Sequence, residues 1–500
     1  MPVKIYLFIL KDININIMAK RSKLNPFSEQ LIIDRLKYEN PWWVDGKTEE
    51  EYSSKKRRLY FTLFYPLVEE TDVKRALILM GPRRVGKTVM MHHAIQSLLD
   101  KGVNPRKICF INIENPIYNN IPLAVLFEYA RKATNESKAA GWFVFFDEIQ
   151  YLKDWEIYLK ILVDDFPKSK FVVSGSAAAA LKMKSNESGA GRFTDFKLPP
   201  LTFNEYIDLK NYNNLLIPAE MEWGKSKVKF FSTININELN KHFIDYINFG
   251  GYPEVIFSDK IQANPGRYIR SDIIDKVLLR DLPSLYGIND VQELNSLFTT
   301  LAYNTGNEVS LESLNNSSHV EKHLIKKYLT YLEAAFLIRI VRRLDEAGKR
   351  FKRENYYKVF LTNPSLRSAL FSPVNATDDM IGNMVETAIY SQWLHRESFI
   401  PYYSGWKRGE VDMIGLDEKK LKPVWAVEIK WSNRFYEKPS DLKSLLYFCK
   451  KNKMDSALVT TISKDGVKIV DGISLYFIPA AVYAYVVGYN TLRINENILI

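Results

Sequence analysis

The eight residues from Gly81 to Thr88 constrain the fold of this chain more than any other segment of the sequence. They fit the P-loop pattern G-x-x-x-x-G-K-[ST], in which backbone N–H groups surround phosphates, a lysine reaches the terminal phosphates and a hydroxyl binds magnesium. The strand pattern ALILM precedes the motif and the helical pattern TVMMHHAIQSLL follows it. Motif and context together predict a site for ATP and Mg²⁺. The residues predicted to contact the nucleotide are Gly81, Pro82, Arg83, Arg84, Val85, Gly86, Lys87 and Thr88.

The acidic pair Asp147-Glu148 is the second feature that points to nucleotide chemistry. Four apolar residues, 143–146, run directly into it, which places both carboxylates at the C-terminal end of a buried strand, where open parallel sheets bind ligands. Asp147, together with Thr88, is predicted to hold the magnesium ion, and Glu148 to accept a proton from the attacking water. The alternative for Glu148 is a cap on the following helix.

Two further polar residues are candidates for sensing the terminal phosphate. The strand pattern KFVVSG leads into Ser174, Gly175 and Ser176, whose hydroxyls could contact the phosphate or its attacking water; a turn serine without a role is the alternative. Arg192 is a candidate finger or sensor arginine, with a structural ion pair as the alternative. The predicted catalytic residues are Lys87, Asp147, Glu148 and Ser174.

The hydrophobic pattern around these motifs predicts an α/β fold. Apolar strands near 76–80, 107–113, 142–147 and 170–175 alternate with helical patterns, which indicates a parallel sheet covered on both faces. After Pro199-Pro200 the pattern is mostly helical until about residue 290.

The N-terminal part contains two weaker patterns. We expect an amphipathic helix from Phe27 to Tyr38 and place the basic run from Lys55 to Arg58 on a solvated helix face. The apolar stretch from Val3 to Leu10 lacks a signal-peptide cleavage site, and Met18 is an alternative start.

Composition sets limits on the class of protein. The 500 residues are 46% apolar and 25% charged, as in folded proteins. The net charge of +11 suits a polyanionic partner, although basic proteins without nucleic-acid partners are common. The cysteines Cys109 and Cys449 indicate neither a disulfide framework nor a thiolate metal site. Because this cysteine usage suits a reducing compartment, we expect a cytoplasmic protein, and because no eighteen consecutive residues are apolar, we expect no membrane span.

Several motifs in a fixed order also resemble a known family. In chain order these motifs are GPRRVGKT, FFDEIQ, VSGS, GRF and LPPLTFNEY, and the sequence Gly-Gly-Tyr-Pro-Glu follows them at 250–254. Over roughly residues 60–485 the chain resembles bacterial and archaeal AAA-type P-loop ATPases with a C-terminal domain of unknown function. The resemblance implies an ATPase core followed by a winged helix and a restriction-endonuclease-like fold.

Residues 296–360 independently show a helix-turn-helix pattern with a hairpin. Helices are predicted near Ser296–Tyr303, Ser310–Asn315 and Val320–Glu333, the last opening with a capping box of Ser318 and Glu321. The third helix and the hairpin are basic, through Lys322, His323, Lys326, Lys327, Arg342, Arg343, Lys349, Arg350, Lys352 and Arg353. A basic helix and wing predict binding to double-stranded DNA; the alternative is a packing module with a solvated basic surface.

A third group of charged residues lies near the C-terminus. Asp412 is followed sixteen residues later by Glu428 and then Lys430, inside the apolar run VWAVEIKW. Residues two apart in a strand share a face, so Glu428 and Lys430 are predicted to point together, with Asp412 on a neighbouring strand. The spacing resembles the PD-(D/E)xK nuclease motif, with Val411 in place of the proline and Glu386 as a possible further ligand. Asp412 and Glu428 are the predicted metal ligands and Lys430 stabilises charge; an inactive scaffold is the alternative.

These patterns predict five regions and two main functions. The regions are an N-terminal leader (1–58), an AAA-type ATPase core (59–200), a helical linker (201–295), a winged helix (296–360) and a restriction-endonuclease-like domain (361–500). The first function is an ATPase that couples hydrolysis to DNA engagement. The second is a signalling ATPase whose C-terminal modules bind protein partners or a further copy of the chain. A nucleotide-binding transcription regulator would leave Asp412, Glu428 and Lys430 without a purpose.

Overall fold

The computed structural model describes residues 27–175, 191–223, 226–351, 355–393, 399–417 and 419–493. Sequence features that lie outside these residues are Val3–Leu10, Met18, Ser176, Lys352 and Arg353. Contacts divide the chain into two compact units. The first unit comprises residues 1–81 and 86–198, and the second comprises residues 82–85 and 199–500.

The first unit is built on a five-stranded parallel sheet. Its strands are β1 (Ala76–Met80), β2 (Ile108–Asn112), β3 (Phe143–Asp147), β4 (Lys170–Gly175) and β5 (Phe193–Lys197), in the spatial order β2-β3-β4-β1-β5. All residues of β1 and β4 are buried, as expected for strands covered on both faces. The predicted parallel sheet is therefore confirmed. The fifth strand, which is only partly buried, was not among the predicted strands.

Helices surround this sheet. They are α1 (Glu29–Glu39), α2 (Trp42–Asp45), α3 (Glu50–Ser53), α4 (Phe61–Glu69), α5 (Lys87–Asp100), α6 (Leu123–Thr134) and α7 (Trp155–Asp165). Helix α1 confirms the predicted amphipathic helix and begins after Ser28, whose side chain accepts a hydrogen bond from the Leu31 N–H group. The placement of Lys55–Arg58 on a helix is wrong. This run follows the end of α3 in irregular structure, and Arg58 is buried.

The second unit begins with helices and a hairpin. Its first elements are α8 (Phe203–Leu209), β6 (Leu216–Trp223), β7 (Ser226–Thr233), α9 (Ile236–Phe249), α10 (Pro253–Ile256) and α11 (Asp259–Gln262). The antiparallel pair β6–β7 corrects the prediction of a mostly helical segment here. Alternation of polar and apolar residues, as in Lys227 to Phe230, was the missed signal. Two π-helical stretches, Gly266–Asp275 and Val277–Asp281, lead into α12 (Leu282–Tyr286).

Three helices and a hairpin follow, as predicted. They are α13 (Val291–Tyr303), α14 (Leu311–Ser318), α15 (Lys322–Ala334) and the antiparallel strands β9 (Ile338–Leu344) and β10 (Tyr356–Leu361), with the short strand β8 (Glu308–Ser310) before α14. The predicted capping box is wrong, because Ser318 is the last residue of α14. The box is instead formed one helix earlier, by Ser310 and Ser313.

The remaining elements complete one large mixed sheet. They are α16 (Ser365–Leu370), α17 (Ile381–Gln392), β11 (Tyr402–Trp406), β12 (Gly409–Leu416), β13 (Pro423–Glu428), α18 (Arg434–Glu437), α19 (Lys443–Asn452), β14 (Ser456–Thr461), β15 (Gly466–Val470), β16 (Ile473–Pro479) and α20 (Ala480–Thr491). The strand order is β15-β16-β14-β13-β12-β11-β9-β10-β8. Strand β11 pairs in parallel with β9 through Tyr403 and Ser404. The hairpin of the three-helix segment and the C-terminal strands therefore form a single sheet.

This continuity bears on the predicted domain boundary at residue 360, which falls at the end of β10, within the sheet. The core beneath the sheet includes Met384 and Val385 of α17, Val427 of β13, and most of α20. Among the described helices, none has both the length and the apolar character needed to cross a membrane.

Candidate functional site

The predicted nucleotide loop joins β1 to α5. Gly86 has a φ of +91° and directly precedes the helix, a conformation that a side chain would strain. The Lys87 ammonium donates a hydrogen bond to the Gly81 carbonyl oxygen at 3.1 Å, so the lysine folds back across its own loop. Helix α5 begins at Lys87, and the positive end of the helix dipole favours an anion at this end.

Within the second unit, the two arginines of the loop contact acidic side chains. Arg83 forms two hydrogen bonds with the Asp281 carboxylate, at 2.7 and 2.9 Å, and both side chains are largely buried. Arg84 pairs with Glu254 at 3.0 Å and with Asp272 at 3.1 Å. Both guanidinium groups are thus paired with carboxylates of the second unit.

Asp147, at the end of β3, is the centre of a buried polar group. Its carboxylate accepts a hydrogen bond from the Thr88 hydroxyl at 2.6 Å, and a second from the Ser174 hydroxyl at the end of β4. Burial, together with the charge of Glu148, raises the Asp147 pKa to about 6. A buried carboxylate beside two hydroxyls is a suitable donor set for a hard cation such as Mg²⁺. The structure thus brings together the two predicted magnesium ligands.

Glu148 lies next to this group in an unusual backbone conformation. Its φ of +54° is in the left-handed region, which is costly for a residue with a side chain and is found most often at functional sites. The Glu148 N–H group donates to the Ser174 hydroxyl at 3.3 Å, and Gln150 hydrogen-bonds the Glu148 carboxylate. Glu148 does immediately precede the short 3₁₀ helix Ile149–Tyr151, but its side chain forms no capping hydrogen bond.

Arg192 lies before β5 and does not join this group. Its guanidinium forms an exposed ion pair with Asp164 of α7 at 2.8 Å. The structure therefore contains the ion pair that was the alternative for this residue.

A second polar site lies in the other unit, on β10, β12, β13 and α17. The Lys430 ammonium is 3.0 Å from Asp412 Oδ2 and 2.9 Å from Glu428 Oε1. The Ile429 N–H group also donates to Asp412, at 2.8 Å. Lys430 is two residues past the end of β13 and not within the strand, where hydrogen bonds with the Thr460 hydroxyl hold its backbone. The three residues of the predicted motif are thus in contact.

Two residues of this site were missed by sequence reasoning. Lys358 of β10 donates to Glu386 Oε1 at 2.9 Å and to Glu410 Oε1 at 2.6 Å. Glu410 could have been found, because it is two residues before Asp412 on the same strand and so shares its face. No local signal marks Lys358. Together the charged residues of this site form a group that we name the acidic–lysine cluster: Lys358, Glu386, Glu410, Asp412, Glu428 and Lys430.

Burial dominates the electrostatics of the acidic–lysine cluster. It raises the pKa of Glu386 and of Glu428 to about 7, and the charge of Asp412 adds to both shifts. The pKa of Asp412 is lowered, because Lys430 and Lys358 outweigh its desolvation. Glu428 is only 8% exposed, and its Oε2 atom has no hydrogen-bond partner among the described residues. An unpartnered carboxylate oxygen beside a second carboxylate fits a divalent cation.

Two basic side chains of the β9–β10 hairpin, which the sequence suggested for DNA contact, are already bonded within the second unit. The Arg343 guanidinium donates to the Gly405 carbonyl oxygen at 2.8 and 2.6 Å and pairs with Glu308 at 3.4 Å. The Arg350 guanidinium hydrogen-bonds the Tyr402 hydroxyl. In contrast, Lys326 and Lys327 of α15 are exposed. Arg343 and Arg350 of the hairpin are thus engaged by their own sheet, whereas the two lysines of α15 are exposed.

Comparisons with known proteins agree with the geometry of the first unit. Residues 73–207 match the family model described as an AAA domain. This match supports a P-loop ATPase fold for this part of the chain. Residues 240–378 and 381–482 match two models described as domains of unknown function, DUF8612 and DUF4143.

The chain is also similar to uncharacterized proteins of two distant organisms. It is 26% identical over 335 residues to one from Haemophilus influenzae, covering 66% of this chain and 77% of that protein. It is 25% identical over 395 residues to one from Methanocaldococcus jannaschii, covering 77% of this chain and 81% of that protein.

Among solved structures, the ORC2 protein of Aeropyrum pernix in its ADPNP and ADP complexes aligns at 12% identity with a TM-score of 0.35, over 62% of this chain and 91% of that chain. Cdc6p of Pyrobaculum aerophilum aligns at 11% identity with a TM-score of 0.27, over 68% of this chain and 98% of that chain.

Proposed function

We propose that this protein hydrolyses ATP with magnesium and couples hydrolysis to DNA engagement by its second unit. The observation that supports the hydrolytic site best is the 2.6 Å hydrogen bond between Thr88, at the start of α5, and Asp147, at the end of β3, which joins the two predicted magnesium ligands. When bound, magnesium would neutralise charge on the β- and γ-phosphates.

The roles of the surrounding side chains follow from their positions. Lys87 leaves the Gly81 carbonyl oxygen to contact the terminal phosphates. Glu148 accepts the proton of the water that attacks the γ-phosphorus, and the bond to the ADP oxygen breaks. Ser174, which is held between Asp147 and the Glu148 N–H group, orients the Glu148 backbone.

Replacing Lys87 tests the ATP site directly. Each charge-assisted phosphate contact contributes about 1.5–3 kcal/mol, so Lys87→Ala should weaken ATP binding roughly ten- to a hundredfold. Calorimetric titration with ATP and magnesium measures this, with Lys107→Ala, a half-buried lysine before β2 that donates to the Ala140 carbonyl oxygen, as the control. Unchanged affinity in Lys87→Ala would remove the phosphate-binding assignment.

DNA engagement is proposed for the three-helix segment and the acidic–lysine cluster. In this interpretation α13–α15 and the β9–β10 hairpin are a winged helix, and its exposed lysines contact phosphates. The cluster is a restriction-endonuclease-like site in which Asp412 and Glu428 hold a divalent cation and Lys430 stabilises developing charge. Such an ion polarises the phosphate and activates water. The unpartnered Glu428 Oε2 atom supports this reading.

A signalling ATPase is the second candidate, and one observation favours it. Arg343 and Arg350, which would face DNA in a free wing, contact residues of their own sheet. The C-terminal modules would then bind a protein partner or a further copy of the chain.

The salt dependence of duplex binding separates the two candidates. Each phosphate contact contributes about 0.9 to the slope of log affinity against log salt, so Lys326→Ala with Lys327→Ala should flatten that slope by about 2. Lys419→Ala with Lys420→Ala, an exposed pair in the β12–β13 turn, is the control. An equal slope in the parent and in both double variants favours the signalling function.

A second experiment tests cleavage. Plasmid is incubated with the protein, ATP and Mn²⁺, and nicking should be lost in Asp412→Ala.

A further inference from the structure

The two lysines of the acidic–lysine cluster are held very differently. The Lys358 side chain is 3% exposed, and its ammonium lies between two carboxylates, those of Glu386 and Glu410. The Lys430 side chain is 29% exposed. Moving Lys358 away would leave the buried Glu386 carboxylate, and the more exposed Glu410 carboxylate, without a counter-charge, whereas Lys430 can turn its ammonium towards water. Lys358 is therefore a fixed charge and Lys430 a movable one.

The lysines also divide the four carboxylates into pairs. Lys358 holds Glu386 with Glu410, and Lys430 holds Asp412 with Glu428. Among the residues that the structure describes, no three acidic, histidine or cysteine side chains converge closely enough to hold a metal ion together. Any one ion would thus meet two protein carboxylates, a number that suits Mg²⁺ or Mn²⁺ with water and phosphate as the other ligands.

The two pairs are not equally satisfied. The Glu386–Glu410 pair has a buried ammonium between its members. In the other pair, the buried Glu428 Oε2 atom has no partner among the described residues. An unpartnered buried oxygen is costly unless a donor or cation meets it. The place for an added cation is therefore beside Asp412 and Glu428.

We infer that Lys358 is a built-in cation that takes the place of a second divalent ion, so that the cluster binds one divalent ion, between Asp412 and Glu428. This inference rests on the metal site proposed above and specifies its stoichiometry. Lys430 turns aside to admit the ion, and Lys358 stays in place. The strand that carries Lys358 belongs to the hairpin of the three-helix segment, so the hairpin supplies part of the cluster's charge.

Counting bound Mn²⁺ by electron paramagnetic resonance tests this, using the full chain without nucleotide. All proteins carry Asp147→Asn, which removes a ligand of the ATP site. We expect one Mn²⁺ per chain in this parent, one in Lys430→Met, none in Glu428→Gln, and two in Lys358→Met, where Glu386 and Glu410 lose their counter-charge. Circular dichroism checks that each variant is folded.

The parent alone decides the inference if Lys358→Met does not fold. Two ions in the parent would overturn the role of Lys358 and leave the metal site standing. No ion in the parent would overturn both. If Lys358→Met folds and still binds one ion, its ammonium does not take the place of a metal.

Discussion

The ATP site and the acidic–lysine cluster are assembled in opposite ways. Most of the ATP site lies within the eight residues from Gly81 to Thr88, and two strand ends add Asp147, Glu148 and Ser174. The cluster takes six charged residues from β10, α17, β12, β13 and the segment after β13. A site built mainly from one loop can be found from its sequence, whereas a site built from distant segments is found only in part.

The two sites also depend differently on the rest of the fold. Thr88 and Asp147 meet because parallel strands end at one edge of a sheet. Lys358 reaches Glu386 because β9 pairs with β11 and so joins the hairpin to the C-terminal strands. We therefore expect substitutions at the ATP site to change chemistry, and those at the cluster to change stability as well.

The largest expected effect is on ATP turnover. Glu148→Gln should retain ATP binding but lower kcat by about 10²- to 10⁴-fold, because the amide cannot accept the proton of the attacking water. A phosphate-release assay measures turnover, and Glu128→Gln on the exposed side of α6 serves as the control. Hydrolysis at the parent rate would make Glu148 a structural residue only.

The second-largest expected effect is a loss of folding stability, which should differ between the two lysines of the cluster. Lys358→Ala should lower the free energy of unfolding by about 3–5 kcal/mol, because it leaves the buried Glu386 carboxylate without its counter-charge. Lys430→Ala should cost less, since the Lys430 side chain is 29% exposed and that of Lys358 is 3% exposed. Urea unfolding followed by fluorescence measures both. Equal losses would contradict the distinction between a fixed and a movable lysine.

The smallest expected effect is on the pH dependence of stability. In the folded chain the Glu428 pKa is about 7, above its ordinary value of 4.5, so the folded state binds more protons than the unfolded state between these values. Stability should therefore fall as pH rises from about 4.5 to 7. Glu428→Gln cannot ionise, so its fall should be shallower than that of the parent. Melting temperatures across this range measure the difference, and parallel curves would refute it.

The sequence by itself determined much of the first unit. The P-loop, the run into Asp147 and the four apolar strands were all readable, because each depends on residues that are near neighbours in the chain. Strand β5 was not, since its residues are half-buried and weakly patterned. The same locality explains why the spacing of Asp412, Glu428 and Lys430 was recognisable, although Lys430 lies past the strand that was expected to hold it.

Only the tertiary structure decided what surrounds these motifs. Which strands become neighbours determines that Lys358 pairs with Glu386 and Glu410. It also determines that Arg343 donates to the Gly405 carbonyl oxygen. Strand order in a sheet is set by the packing of the whole core, and no short stretch of sequence encodes it. The sequence therefore supplied the chemistry of each side chain, and the fold decided which charges meet, how deeply they are buried and which remain free.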